Sequence, residues 1–200
     1  MGLVDVNYHH LVETITKEGT RKNTRNGETI SIFGTHLNHH MNAGFPLLTT
    51  KKMAWKQIVT ELLWFLRGET NIQSLVKEGN YIWIGDVYKK YCNSHKTSGN
   101  PNGKTLAEQL SSEKPIGHSK KSFIDEIKTN NKFAKKWGEL GPIYGKQWRN
   151  NNGVDQIQKV VDLLKGNPDS RRMVVDAWNP KDVEEAVVPP CHYSFQVYTR

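Results

Sequence analysis

The chain is short of cysteine and of long apolar runs, and each shortage removes a class of protein. Its only two cysteines, Cys92 and Cys191, lie far apart and make no Cys-x-x-Cys pair. That argues against a disulfide framework or a zinc site and implies a reducing compartment, with the cytoplasm as the default. No apolar run approaches the roughly 20 residues that a membrane span needs, and the first residues carry no signal-peptide pattern. No internal repeat is visible. What remains is a chain of 200 residues, 36% hydrophobic and 24% charged. It is globular, suited to one domain or one domain with an insertion, and long enough to bury a core.

The net charge is +8, and +5 of it falls between Ile84 and Glu139, where eleven lysines face six acids. A basic balance of this kind raises the question of nucleic acid. Concentrated in one segment, it reads instead as a solvated, lysine-rich insertion.

Helical periodicity is clearest from about Ala54 to Arg67, where Trp55, Ile58, Val59, Leu62, Leu63 and Leu66 form one stripe ahead of Gly68. Shorter helices are expected around Leu11, Val12 and Ile15, ending at Gly19, and after Thr70, with Ile72, Leu75 and Val76 inward and Gly79 as the stop. A further stripe of Ile157, Val160, Val161 and Leu164 closes at Gly166 and Pro168. Ile30 and Ile32 alternate with polar neighbours, Asn42-Ala43-Gly44 marks a turn, and Met173-Val174-Val175 reads as a buried strand. Asn179-Pro180 opens a brief helical turn, and Tyr193, Phe195 and Val197 alternate in a last strand. The stretch Cys92 to Gly117 is rich in Ser, Asn, Gly and Lys and reads as loop, with one helix expected between Ser122 and Trp137. Helices and strands mix without a βαβ rhythm, so the fold class is α+β.

Cys191 is the residue with the most evident chemistry. It sits in Pro189-Pro190-Cys191-His192 at the mouth of the last alternating segment, and a thiolate is the strongest side-chain nucleophile near neutral pH. Four other blocks accompany it. They are Lys22-Asn23-Thr24-Arg25-Asn26-Gly27, Phe45-Pro46-Leu47-Leu48-Thr49-Thr50-Lys51-Lys52, Gly138 to Arg149 (GELGPIYGKQWR) and Asn167-Pro168-Asp169-Ser170-Arg171-Arg172. In this order and together, the blocks closely resemble thymidylate synthase, over nearly the whole chain except roughly Ile84 to Trp137.

The resemblance implies the folate-dependent enzyme of the bacterial and phage type, a thymidylate synthase fold with a mixed β-sheet and packed helices, and a two-fold homodimer. It implies reductive methylation of dUMP to dTMP, with 5,10-methylenetetrahydrofolate as one-carbon and hydride donor and no metal. By motif position Cys191 is the nucleophile that adds at pyrimidine C6, Glu61 a proton relay and Tyr144 a tyrosine near the thiol. Arg25, Arg171, Arg172 and His192 correspond to the nucleotide site, the Arg171–Arg172 pair reaching the partner subunit's phosphate. Guanidinium forks suit that task because they bind phosphate bidentately. They would also favour the Cys191 thiolate. Ile82, Trp83 and Lys51 correspond to the folate site. The residues add one argument of their own: Glu61 lies off the apolar stripe between Trp64 and Phe65, where partial desolvation would raise its pKa toward proton-transfer range.

The match has departures. Ile84 stands where an acid is common and Ala54 where a histidine is, both on the folate side. The family continues past the cysteine strand into an Arg-Ser-x-Asp segment and a pyrimidine-reading asparagine, so residues 1–200 are expected to be the N-terminal portion of a single synthase domain, with a variable insertion at about 84–137. Two alternatives accompany the synthase reading. One is a dCMP or dUMP hydroxymethylase of the same fold; the other is an inactive, truncated fragment that acts as a binding module.

Overall fold

The computed structural model of the chain describes residues 2–24, 27–96 and 118–199. The chain forms two compact units, Met1–Trp55 and Lys56–Arg200. It is a mixture of helix and sheet, consistent with α+β.

In the first unit, helix α1 (Leu3–Glu18) leads into an antiparallel hairpin of β1 (Thr20–Thr24) and β2 (Gly27–Ser31), in register from Thr20↔Ser31 to Thr24↔Gly27. Gly19 ends α1 as expected, though for want of space: an added Cβ would lie 2.4 Å from the Ile15 carbonyl oxygen and 2.5 Å from Ile30 Cγ2. Asp5 is fully buried and accepts from the backbone N–H of Gly2 (3.0 Å) and Thr49 (2.7 Å) and from the Thr49 hydroxyl (2.7 Å). Three donors on one carboxylate hold its pKa below the ordinary value, the Thr49 hydroxyl having the largest effect. A short 3-10 turn follows at Met41–Ala43, where the sequence marks a turn.

The second unit holds the core. Helix α2 (Trp55–Leu66) forms where its apolar period predicts, but it faces differently. Trp64 (0% exposed) and Phe65 (7%) enter the core, while Leu62 and Leu63 stay about half exposed. The larger aromatic surfaces win the inward face, and the Trp64 indole N–H is satisfied by the Asn71 carbonyl at 3.2 Å. Helix α3 (Gln73–Lys77) buries Leu75 and Val76, and Gly79 behind it has a φ of 80°.

Helix α4 (Ile84–Lys96) points Ile84, Val87, Tyr88 and Tyr91 inward at helical spacing. Residues 92–96 are therefore helical rather than loop, because the aromatic stripe carries the helix past Cys92. The rest of the expected loop, 97–117, lies outside the described residues. In place of one helix before Trp137 there are two, α5 (Lys120–Thr129) and α6 (Asn131–Trp137). They are divided at Asn130, whose side chain accepts from the N–H groups of Lys132 and Phe133 at 3.1 Å each and so caps the second. Phe123 packs on Tyr88 and Tyr91, and Trp137 meets Tyr91 edge-on, so both flanks of the lysine-rich segment contribute to the core while Lys89, Lys90, Lys120, Lys121, Lys128, Lys132, Lys135 and Lys136 stay exposed.

Beyond these come α7 (Tyr144–Asn150) and α8 (Gln156–Gly166), the latter capped by Asp155, which accepts from the Gln158 N–H at 2.9 Å. Strand β3 (Val174–Asp176) pairs antiparallel with β4 (Ser194–Gln196), Val175 opposite Phe195. The described strands thus form two separate two-stranded sheets. Among the described residues no helix is long and apolar enough to cross a membrane.

Candidate active site

The segment from β3 to β4 is a strap, and its fastening points decide where Cys191 stands. It leaves β3, turns at Asn179 and makes a 3-10 turn at Val183–Glu185. It then crosses Leu140–Gly141, where the Val187 N–H donates to the Leu140 carbonyl at 2.8 Å. Gly141 has a φ of +85°, and a Cβ there would come within 2.6 Å of the Glu185 carbonyl oxygen, so only glycine admits the crossing. At the far end the Ala177 N–H donates to the Tyr193 carbonyl at 2.7 Å and closes the loop.

Between those points the strap hangs on one side chain. The Cys191 N–H donates to the Tyr144 hydroxyl oxygen at 2.8 Å, and the His192 N–H donates to the same oxygen at 3.2 Å. Tyr144 is buried at the start of α7, its ring 4.7 Å from Phe65 and 5.8 Å from the His192 imidazole. Both acceptor positions of the phenol are taken, which leaves its own proton for a third partner. The Cys191 side chain is exposed, with Sγ 4.0 Å from the Pro189 carbonyl oxygen. Gly145 lets this helix start close to the turn after α2: an added Cβ would lie 2.2 Å from the Glu69 carbonyl oxygen.

Glu61 and Trp83, expected to serve different substrates, form one pair. The Trp83 indole N–H donates to Glu61 Oε1 at 2.8 Å. Burial raises the Glu61 pKa above its ordinary value, opposed by that hydrogen bond and by the charge of His192. The desolvation expected at Glu61 is present, while Trp64 and Phe65 point into the core and the hydrogen-bond partner of the carboxylate is Trp83. Ile82 is 61% exposed, and its N–H donates to Asn80 Oδ1 at 3.2 Å.

Arg171 and Arg172 are exposed and line a separate polar depression of about 680 Å³ with Leu163, Asn167, Asp169 and Ser170. Among the described residues no hydrogen bond or ion pair joins either guanidinium to Cys191. Neither guanidinium makes an ion pair among the described residues. Lys51 is exposed in the first unit, and Arg25 lies outside the described residues.

The sequence reading assigned no role to Gln147, a buried amide inside the GPIYGKQWR block, nor to the close approaches at Gly141 and Gly145. The glycines in that block were a usable signal. Gln147 had none, because a polar residue on a short helix is ordinarily read as exposed.

The profile of the thymidylate synthase family matches residues 6–200. The thymidylate synthase of Mycoplasma genitalium is 46% identical over 178 residues, covering 89% of this chain and 56% of that protein. Those of Mesoplasma florum and Mycoplasma mobile are 43% and 44% identical over 192 residues each, 96% of this chain and 60% of theirs. The chain spans about three fifths of the length of these relatives. It belongs to the thymidylate synthase family.

Proposed function

We propose that the protein carrying this chain is a thymidylate synthase, which methylates dUMP to dTMP with 5,10-methylenetetrahydrofolate as co-substrate. The observation that carries the reading is the exposed thiol of Cys191, hung by its own N–H from the buried Tyr144 hydroxyl beside His192. Uracil C5 is not nucleophilic by itself. Addition of the Cys191 thiolate to C6 forms an S–C bond and moves the ring electrons to an enolate, whose C5 then attacks an electrophilic carbon. Folate supplies that one-carbon unit and the hydride that completes the methyl group, while C5 loses its proton and the S–C6 bond breaks to return the Cys191 thiolate, leaving dTMP and dihydrofolate.

The chain's own residues do the rest. Glu61 takes the proton-relay role, and burial raises its pKa above the ordinary carboxyl value. Tyr144 holds the nucleophile's backbone and has a proton to offer the pyrimidine. His192 walls the nucleotide, and Arg25, Arg171 and Arg172 bind its phosphate. On the folate side, Ile82 and the half-buried Trp83 offer an apolar surface that fits a flat ring, and Lys51 offers a cation for the glutamate tail. Arg171 and Arg172, set apart from Cys191, serve the partner's site in a two-fold dimer with the family's fold and mixed sheet. A cytoplasmic setting is part of the proposal, resting on two cysteines free as thiols.

The test is covalent capture. In the protein expressed from its complete gene, 5-fluoro-dUMP with methylenetetrahydrofolate is expected to label Cys191, and Cys191→Ala to abolish labelling. Label on Cys92, or none, overturns the assignment. For the dimer, Cys191→Ala and Arg172→Glu are each expected to be inactive and to regain activity on mixing, since one hybrid site carries neither lesion. Confirmed subunit exchange without recovery refutes the cross-subunit role.

A further inference from the structure

Gln147 is 1% exposed, one of two buried polar residues in the second unit among the described residues. Its amide Nε2 donates to the Pro142 carbonyl at 3.0 Å and to Asp182 Oδ2 at 2.9 Å. Asn179 Nδ2 approaches its Oε1 at 3.4 Å and donates to the same Asp182 oxygen at 3.0 Å. The main-chain carbonyl of Gln147 accepts from Gln156 Nε2 at 2.8 Å. Gln156 in turn brackets Asp176 at the end of β3, donating to its carbonyl and accepting from its N–H.

These bonds link two things that the thiol depends on. Pro142 lies two residues before Tyr144, whose hydroxyl holds Cys191. Asn179 and Asp182 open the strap that ends at Cys191. A buried amide joining both fixes the height of the strap against the helix that carries its anchor. Buried polar groups that are fully paired specify one arrangement, because any slip leaves a desolvated donor without an acceptor.

We infer that Gln147, acting through Asp182 and Asn179, is a positioning residue for the nucleophile: it sets the register of the Cys191 strap against Tyr144 without touching substrate. The inference rests on the reading of Cys191 as nucleophile. It is distinct from that reading because loss of register slows the bond-forming step and leaves phosphate and folate contacts intact.

The experiment uses the complete protein and four variants. Gln147→Leu keeps the volume and removes every side-chain bond. Asp182→Ala removes the acceptor, whereas Asp182→Asn keeps an acceptor oxygen for both Gln147 and Asn179. Cys191→Ala controls for the reading itself. Misplacement by about 1 Å can cost roughly 100-fold in rate. Gln147→Leu and Asp182→Ala are therefore expected to lower kcat and the rate of 5-fluoro-dUMP adduct formation by about 10- to 100-fold, with KM for dUMP within about twofold and Asp182→Asn close to wild type. Should Gln147→Leu fail to fold, the Asp182→Ala and Asp182→Asn pair decides alone. Wild-type kcat in folded Gln147→Leu or Asp182→Ala, or an equal loss in Asp182→Asn, overturns the inference. An active Cys191→Ala instead overturns the underlying reading.

Discussion

Replacing Tyr144 by phenylalanine removes one oxygen and keeps the ring that packs on Phe65 at 4.7 Å. The lost oxygen serves two donors, the N–H groups of Cys191 at 2.8 Å and His192 at 3.2 Å. A buried hydrogen bond is worth about 1 kcal/mol net, and a donor left unpaired costs about 1–3 kcal/mol. Cys191 and His192 are exposed residues, so water recovers part of that cost. The sum is then about 1–2 kcal/mol, which lowers Tm by roughly 3–6 °C for a domain of this size. The loss is local: amide exchange at Cys191 and His192 should accelerate, followed by mass spectrometry on peptides spanning the strap, while α8 keeps its protection. Freed from its anchor, the thiol should be alkylated at a changed rate, and kcat should fall further than KM rises. Unchanged exchange at residues 191–192 together with an unchanged Tm would refute the claim that this hydroxyl holds the strap.

Two further predictions concern the surroundings of that anchor. Gly145→Ala places a methyl group 2.2 Å from the Glu69 carbonyl oxygen and 3.0 Å from the Gly68 carbonyl carbon, both backbone atoms that cannot swing aside. Overpacking of this kind costs about 1–3 kcal/mol, more than the roughly 0.5–1 kcal/mol that alanine gains over glycine in a helix, so the urea midpoint should fall. An unchanged midpoint would show that the turn after α2 moves freely. Glu61→Gln should raise stability at neutral pH while lowering activity. Burial holds the Glu61 pKa above its ordinary 4.5, so the folded protein binds that proton more tightly than the unfolded chain. The resulting stability is full below 4.5 and is lost as pH rises through the folded value. Glutamine accepts the same Trp83 N–H with no charge to desolvate, so its advantage should grow with pH across that window. A less stable Glu61→Gln at pH 7 would refute the claim that burial dominates at Glu61.

What the sequence disclosed follows the reach of each signal. Helix α8 was legible because Ile157, Val160, Val161 and Leu164 repeat at helical spacing ahead of Gly166 and Pro168. The position of α2 was equally plain, yet its orientation was not, since Leu62 and Leu63 compete with Trp64 and Phe65 for the interior and only tertiary packing chooses between them. Helix α7 was invisible to periodicity: its buried residues include a glycine and a glutamine. Motif order brought Cys191, Tyr144 and Glu61 into one argument. The bond from the Cys191 backbone to a hydroxyl 47 positions earlier, and the pairing of Glu61 with Trp83, are properties of the fold alone.

The arrangement also explains why the thiol can be both exposed and well placed. An exposed cysteine has few side-chain partners to orient it, so the main chain must do so. Here the main chain is fixed by the Tyr144 hydroxyl at Cys191 and His192, by the Leu140 carbonyl at Val187, by Gln147 at Asp182 and by the Ala177 N–H at Tyr193. None of these contacts uses the sulfur, so a thiol acting as the proposed nucleophile could form and break its bond without disturbing what holds it. Precision at the thiol is thereby separated from its chemistry. Conservative changes at Tyr144, Gly141 or Gln147 should accordingly harm catalysis out of proportion to their distance from substrate.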